Sequence, residues 1–348
     1  MLEYNTSTVI FNILGAEIGA PSLKIKDLIE IRSANNLSFS MKLQFILHKF
    51  YQNFNLIPVQ FKEYFSTFEN FLYYVSYYEI ESIAYTYTLC TYETNDSYEK
   101  PIKCPICENN FKYDISLKEF ISLKNIKIWN KNKPYFEYDF NFEYKIDNQT
   151  SIKFIMFIPN IYTYLIKVRG LTTETINYNI EKYGSILDIH TELTLHTKQI
   201  ILTTDNDSNK NEILDKPDEI YELIVNLPAN IYNQLLFFYQ NNIKVYCPNY
   251  RYELKCPHCK NTILLSLSPL LEFINITEHK TKQESYLNEY ISLFETLYTV
   301  SENHFTSFNE FINLPYPVFE KLSKTLIDSF KQKTKIQKQK MHQMQKIL

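Results

Sequence analysis

The chain has 348 residues but only four glycines, at positions 15, 19, 170 and 184, and these glycines form no cluster. Loops that cradle phosphate groups need neighbouring glycines, because only glycine lets the backbone approach the anion closely. The scarcity of glycine therefore argues against the common classes of nucleotide-binding enzyme.

An excess of positive charge is also missing. The 36 Lys and Arg residues are balanced by 39 Asp and Glu residues, so the net charge is −3. Such a chain has no long-range attraction to nucleic acid or to a membrane surface. No apolar run reaches the roughly 18–20 residues of a membrane helix, and no signal segment opens the chain. We therefore expect a cytosolic or virion-bound protein without a membrane partner.

Six cysteines are present, and four of them form two C-P-x-C turns, at residues 104–107 and 256–259. In a reducing compartment, cysteines at this spacing indicate metal ligands and not a disulfide framework. A CxxC turn presents two thiolates from one tight backbone knuckle, and structural zinc takes four such ligands in a tetrahedron. The sequence therefore predicts a structural zinc site.

The two turns lie 152 residues apart, and their similarity extends beyond the cysteines. A lysine precedes each turn, and alternating apolar residues follow it, at 111, 113 and 115 and again at 263, 265 and 267. Alternation is typical of strands, and a serine that can start a helix follows each run, at 116 and 268. Each half thus predicts strand, knuckle, strand and helix start, which indicates an internal duplication.

Asparagine replaces glycine after each knuckle. Asn109 and Asn261 stand two positions beyond the second cysteine of their turns, where the backbone often needs a positive φ. Asparagine is the non-glycine residue that best tolerates that conformation. We therefore expect a positive φ at both asparagines.

The ligand set has more than one interpretation. The first is a single closed site in which the knuckles meet face to face and clamp the two halves about a pseudo-twofold axis. Its ligands are Cys104, Cys107, Cys256 and Cys259. The second gives each half its own site, with Cys90 or Cys247 as a third ligand, although no matching fourth ligand occurs in both halves. Otherwise Cys90 and Cys247 are core thiols, as free cysteines often are.

Catalysis at this metal is disfavoured. Four cysteines close the coordination shell, whereas catalytic zinc keeps an open position. Zinc deaminases pair an H-x-E element, which His190 and Glu192 supply, with P-C-x-x-C, but lysine replaces the proline before both turns. A redox CxxC motif opens a helix in a thioredoxin-like unit, whereas these turns lie between predicted strands. We expect no enzymatic activity and no small-molecule substrate.

The remainder of the chain predicts mainly helices. Their expected ranges are 23–34, 66 to about 80, 171–180, a helix begun by Pro228, 286–298 and 318–330. Residues 152–168 are predicted to be a strand. The predicted fold is therefore α+β, mostly helical, with short β-hairpins that carry the zinc knuckles. The predicted units are 1–135 and 136–282 as two repeats, 283–330 as a C-terminal helical segment and 331–348 as a basic flexible tail.

The order of an N-terminal strand, a short helix, an aromatic helix ending near residues 76–82 (SYYEIES), a C-P-x-C hairpin and a helix resembles one known family. It is similar to the baseplate hub and hub-assembly proteins of T-even-type contractile-tailed phages. The second half repeats this order, with residues 168–173 (VRGLTT) before the hairpin at 256–259, and residues 308–331 resemble the C-terminal helix of such proteins. This chain departs from the family in lacking the glycine after the knuckle and in holding two copies of the unit.

The resemblance implies a structural or assembly protein of a phage tail baseplate hub. Such a protein acts by contact with other tail or baseplate proteins, in the host cytoplasm during assembly or in the virion. The alternative is a zinc-ribbon nucleic-acid-binding or transcription factor, which the aromatic residues and the lysine-rich tail would suit. No basic stripe accompanies either knuckle, so nucleic acid is the less favoured partner.

Overall fold

A computed structural model describes residues 6–34, 37–91, 97–116, 128–147, 150–169, 186–204, 212–248, 250–274 and 313–318, together with 171, 172, 175, 176, 178, 179 and 321. Helices are combined with small antiparallel sheets, which confirms the α+β class. Most of the predicted segment 283–330, the tail 331–348 and most of the predicted helix 171–180 lie outside the described residues. The boundaries between the predicted units stay predictions.

The first part of the chain folds as a hairpin followed by four helices. These elements are β1 (Thr6–Phe11), β2 (Ala16–Pro21), α1 (Ile25–Ser33), α2 (Phe39–Asn53), α3 (Phe68–Tyr74) and α4 (Glu79–Thr91). The strands β1 and β2 are antiparallel, and Gly15 in the turn between them has φ 70°, which glycine adopts without strain. Helix α2 buries Leu43, Leu47 and Phe50 along one face, at the spacing of an amphipathic helix.

The predicted helix from residue 66 to about 80 is wrong, because the structure divides it into α3 and α4. Thr67, and not Ser66, caps α3 by accepting a hydrogen bond from the Asn70 amide at 3.1 Å. Between the helices, the Tyr77 amide donates to Pro159 O and the Val75 carbonyl accepts from the Ile161 amide. These bonds to a distant segment replace the hydrogen bonds that would have continued the helix.

The middle of the chain builds a four-stranded antiparallel sheet with the strand order β5-β6-β7-β8. Its elements in chain order are β5 (Phe140–Lys145), β6 (Thr150–Met156), α5 (Ile161–Val168), α6 (Ile189–His196), β7 (Thr197–Thr204) and β8 (Glu212–Leu214). The predicted strand 152–168 is therefore correct only for its first part. Asn160 caps α5 by accepting from the Thr163 amide at 2.9 Å, and an apolar run alone does not distinguish a buried helix from a strand.

Two helices follow the sheet, α7 (Pro217–Val225) and α8 (Ala229–Asn242). Pro228 precedes the first residue of α8, and Ile231 and Leu235 are buried on one face, as the sequence predicts.

The cysteine turns belong to two separate hairpins. These are β3 (Ser97–Lys103) with β4 (Asn110–Ser116), and β9 (Tyr250–Lys255) with β10 (Thr262–Leu267).

The buried apolar side chains form two clusters. The first contains residues between 9 and 104, between 161 and 195 and between 254 and 274, together with Tyr316. The second contains Ile13, Tyr78 and residues between 135 and 246. Tyr77 packs against both clusters. Side chains near the end of the described chain therefore share a core with the N-terminal hairpin and helices.

His196 lies fully buried near the contact between the two clusters. Its Nε2 lies 2.9 Å from the Tyr77 hydroxyl and 3.0 Å from the Tyr78 hydroxyl, and its Nδ1 lies 2.9 Å from Phe157 O. A carbonyl can only accept, so Nδ1 donates, and the single lone pair of a neutral Nε2 can accept one proton, from the hydroxyl of Tyr77 or of Tyr78. Burial lowers the pKa of His196 to about 4, so the imidazole is neutral at neutral pH.

The hydrogen bonds continue from His196 toward the protein surface. The Tyr78 hydroxyl lies 3.3 Å from the Tyr239 hydroxyl, which donates to Glu192 Oε1 at 2.8 Å. Lys244 Nζ lies 3.0 Å from the same carboxylate and is partly exposed. Each polar group in this series of contacts, from His196 to Lys244, has a partner. Burial therefore leaves none of these groups unsatisfied.

We expect His196→Gln to reduce the loss of stability on acidification. The imidazole titrates at 6.5 when unperturbed and at about 4 in the folded protein, so the unfolded chain binds a proton that the folded protein excludes. The stability that depends on neutral His196 is complete above pH 6.5 and is lost as the pH falls toward 4, by about 3 kcal/mol. Denaturant unfolding across this pH range measures the effect. His190→Gln, at a half-exposed histidine, is the control, and equal pH slopes for wild type and His196→Gln would contradict the expectation.

Candidate metal centre

The two C-P-x-C turns connect strands that pair in the same register. In the first hairpin Lys103 pairs with Asn110, and Ile102 with Phe111. In the second hairpin the partners at the corresponding positions are Lys255 with Thr262 and Leu254 with Ile263. Both turns therefore start from the same geometry, with one buried apolar side chain beside each first cysteine.

Each turn is closed by two backbone hydrogen bonds. In the first turn the Glu108 amide donates to Cys104 O at 2.9 Å, and the Cys104 amide donates to Asn109 O at 3.0 Å. The second turn has the corresponding bonds, from Lys260 to Cys256 O at 2.9 Å and from Cys256 to Asn261 O at 2.9 Å. The two knuckles are thus alike in their backbone hydrogen bonding.

The positive φ falls on a different residue from the one predicted. It occurs at Glu108 (59°) and at Lys260 (63°), directly after the second cysteine, and not at Asn109 or Asn261. The left-handed conformation at this residue turns the chain so that the carbonyl of the next residue, Asn109 or Asn261, accepts from the amide of the first cysteine. Asparagine occupies this position in both turns, and its side chain contacts a cysteine sulfur in each of them.

The asparagine side chains donate hydrogen bonds to sulfur. Asn109 Nδ2 lies 3.6 Å from Cys107 Sγ, and Asn261 Nδ2 lies 3.5 Å from Cys259 Sγ. The Cys107 amide also donates to Cys104 Sγ at 3.5 Å. Donors around sulfur stabilise the thiolate form, which is the form that binds a metal.

The sulfur atoms of both turns meet in one cluster. Cys104 Sγ lies 3.7 Å from Cys259 Sγ, and Cys107 Sγ lies 3.7 Å from Cys256 Sγ. All four sulfurs lie within 4.8 Å of one another. In a tetrahedron with metal–sulfur bonds of about 2.3 Å, neighbouring sulfurs are about 3.8 Å apart. The spacing is therefore compatible with a metal ion at the centre, and four sulfurs suit Zn²⁺ or tetrahedral iron.

In the first turn, one thiol ionises much more readily than the other. The peptide N–H of Cys107 lowers the pKa of Cys104 to about 6. The peptide N–H of Asn109 lowers the pKa of Cys107, but burial and the neighbouring sulfurs outweigh it and raise that pKa to about 11. The first thiolate thus makes ionisation of the next one harder, because like charges at this distance repel. A bound cation removes that repulsion.

The other two cysteines lie outside the sulfur cluster. Cys90 is buried in α4, with its Sγ 3.6 Å from Tyr87 O, and burial raises its pKa to about 12. Cys247 Sγ lies 3.7 Å from Pro248 O, and burial raises its pKa further still. The structure thus brings together the sulfurs of the shared-site interpretation and places Cys90 and Cys247 among core side chains.

A helix that starts after the second hairpin is attached to the first part of the chain. As predicted, Ser268 precedes the first helical residue. The Ser268 hydroxyl donates to Glu81 Oε1 at 2.7 Å, and the Leu270 amide donates to Glu81 Oε2 at 3.0 Å. Lys100 in β3 forms an ion pair with buried Glu272 of the same helix. No local sequence pattern connects these residues, so sequence reasoning missed them.

The predicted H-x-E element takes no part in the sulfur cluster. Glu192 binds Tyr239 and Lys244, and the His190 imidazole lies beside Asp188. Within the described part of the chain, the four cysteines are the group of His, Cys, Asp and Glu side chains placed closely enough to hold a metal ion.

No family model, curated protein or solved structure matches this chain. In the described segments, no helix combines the length and the apolar composition that crossing a bilayer requires.

We expect Asn109→Ala and Asn261→Ala each to weaken the binding of Zn²⁺ by about 10–100-fold, because each removes an N–H···S hydrogen bond to a ligand sulfur. Competition with a chromogenic zinc chelator measures the affinity. Asn110→Ala is the matched control, since Asn110 is the next residue in the chain and begins β4. Equal affinities for Asn109→Ala and Asn110→Ala would show that the bond to sulfur does not contribute.

Proposed function

We propose that Cys104, Cys107, Cys256 and Cys259 bind one structural zinc ion that joins the two hairpins. The observation that carries this proposal is the pair of 3.7 Å sulfur contacts, Cys104 to Cys259 and Cys107 to Cys256. Each contact joins a sulfur of one turn to a sulfur of the other. A shell of four sulfurs has no open position for substrate, so the role of the ion is structural and the protein is not an enzyme.

The zinc ion stabilises a contact between distant parts of the chain. The first turn follows α4, and the second follows α8, so closing the site holds together residues more than a hundred positions apart. Since the site does not exist in the unfolded chain, the binding free energy of the metal adds to the folding free energy.

The matching register of the two hairpins supports an internal duplication. Both turns have the same pairings, the same closing hydrogen bonds and the same asparagine-to-sulfur contact. We include in the proposal that the hairpins are zinc knuckles of two pseudo-repeated halves, and that the metal lies between them.

An exposed aromatic pair supports a role in protein contact. Tyr73 of α3 and Tyr162 of α5 stack with their ring centroids 4.7 Å apart, yet they are 48% and 41% exposed. Ile166, one helical turn after Tyr162, is also exposed. Tyrosine is enriched at protein interfaces because it offers a large apolar ring and a polar hydroxyl.

With the family resemblance of the sequence, these features lead us to propose a structural or assembly protein of a phage tail baseplate hub. The zinc-joined hairpins would hold a rigid body, and exposed aromatic side chains would contact other tail or baseplate proteins. Its place of action would be the host cytoplasm during assembly, or the virion.

The zinc site is tested by metal analysis of the purified protein and its cysteine variants. We expect about one zinc per chain in the wild type, and almost none in Cys104→Ser or in Cys256→Ser, because either change opens the same shared shell. Cys90→Ser and Cys247→Ser are the controls and should keep their zinc. Variants that keep half of the metal would indicate two separate sites. Iron in place of zinc, or a folded wild type that holds no metal and is indifferent to chelator, would contradict the proposal.

The proposed role in protein–protein contact is tested by co-purification and by the salt dependence of nucleic-acid binding. We expect the protein to co-purify with baseplate particles from infected cells, and to bind DNA and RNA oligonucleotides only weakly. Binding to nucleic acid would decrease steeply with salt concentration because phosphate contacts release counterions. Strong, salt-sensitive binding to oligonucleotides without association with baseplate particles would favour the nucleic-acid-binding factor instead.

A further inference from the structure

In each turn of the sulfur cluster, the first cysteine is buried and the second is partly exposed. Cys104 and Cys256 are fully buried, whereas Cys107 and Cys259 are partly exposed. Each 3.7 Å contact joins a buried sulfur of one hairpin to a partly exposed sulfur of the other. An oxidant in solution therefore reaches one member of each contact first, and the second member lies close behind it.

We propose that the metal centre is also a thiol–disulfide switch, in which a small-molecule disulfide such as oxidised glutathione replaces the metal with two crosswise disulfides. The pairs are Cys104 with Cys259 and Cys107 with Cys256. This inference deepens the proposed zinc site, and it also depends on the geometry of the sulfurs themselves. Oxidation would then exchange one link between the hairpins for another and would keep them joined.

The chemistry of each pair is a two-electron exchange. Cys107 Sγ, once its proton has passed to solvent, attacks one sulfur of oxidised glutathione, forms a mixed disulfide and releases one glutathione thiolate, which takes up a proton. The Cys256 thiolate then attacks Cys107 Sγ, forms the Cys107–Cys256 bond and releases the second glutathione. The two cysteines are oxidised and the glutathione disulfide is reduced. Cys259 and Cys104 react in the same order, and the metal ion is released when its ligands become disulfides.

The crosswise pairing follows from the distances. A disulfide bond is about 2.05 Å long, so sulfurs 3.7 Å apart need a modest side-chain movement to form one. All four sulfurs lie within 4.8 Å of one another, so pairing within a turn is the alternative that the experiments must exclude. Cys90 and Cys247 lie elsewhere in the core and take no part.

Trypsin distinguishes disulfides that join the two hairpins from disulfides within one turn. Cleavage after Lys103, Lys112, Lys255 and Lys260 gives the peptides 104–112 and 256–260, which contain these four cysteines and no others. The full-length protein is treated with chelator and oxidised glutathione, digested under non-reducing conditions and analysed by mass spectrometry. We expect the two peptides to be joined, with four of the six thiols lost. Two separate peptides that each contain an internal disulfide, or that carry only glutathione, would overturn the switch.

Double variants identify the partners. Cys104→Ser with Cys259→Ser retains the contact between Cys107 and Cys256, and should still form one disulfide between the peptides. Two matched controls have lost the same number of ligands. Cys256→Ser with Cys259→Ser retains the two cysteines of one turn, and Cys104→Ser with Cys256→Ser retains Cys107 and Cys259, two partly exposed cysteines from opposite turns. Each control should form its disulfide more slowly, and an equal or faster rate in either one would overturn the crosswise pairing.

The metal analysis separates this inference from the zinc site. Joined peptides from a protein that holds no zinc when purified would refute the zinc proposal and support the thiol–disulfide pairing. Zinc-containing protein whose four thiols stay reduced, or pair within each turn, would refute the switch and leave the zinc site standing.

Discussion

The contact between the sulfurs of two remote hairpins is the constraint on which the rest of this structure depends. It brings the strand ends at residues 103 and 255 together, and the first core cluster accordingly contains side chains from both ends of the described chain. Two further links act in the same direction. Glu81 caps the helix after the second hairpin, and Lys100 of the first hairpin pairs with Glu272 of that helix. The sulfur cluster, the helix cap and the ion pair thus all stabilise the same junction.

The excess of tyrosine has a structural use in the second core cluster. The hydroxyls of Tyr77 and Tyr78 contact His196 Nε2, and Tyr239 donates to Glu192, so these rings fill apolar space while their hydroxyls face buried polar groups. Phenylalanine would fill the same volume but would leave the imidazole nitrogen without a donor.

Local signals allowed much of the site to be predicted from the sequence. The cysteine spacing, the alternating residues after it, Pro228 and Ser268 are signals that act within a few residues. The structure contains the corresponding hairpins and helix starts. The errors arose where a distant segment decides the conformation. Residues 75–78 leave the helix because they bond to residues 159–161, and the cap from Glu81 to Ser268 joins positions that no periodicity relates. The positive φ lies one residue before the predicted asparagines, at Glu108 and Lys260. The geometry of the turn determines this position, and the preference of asparagine for positive φ does not predict it.

The separation of the two turns along the chain also sets the order of events during synthesis. The first pair of cysteines leaves the ribosome 152 residues before the second pair. At about 5–20 residues per second, this is an interval of roughly 8–30 s. Throughout that time the first hairpin lacks the sulfurs of Cys256 and Cys259, and Lys100 lacks its partner Glu272. The N-terminal hairpin and helices must therefore wait with part of their apolar surface uncovered, which makes this stage of translation the one at which a chaperone would matter most.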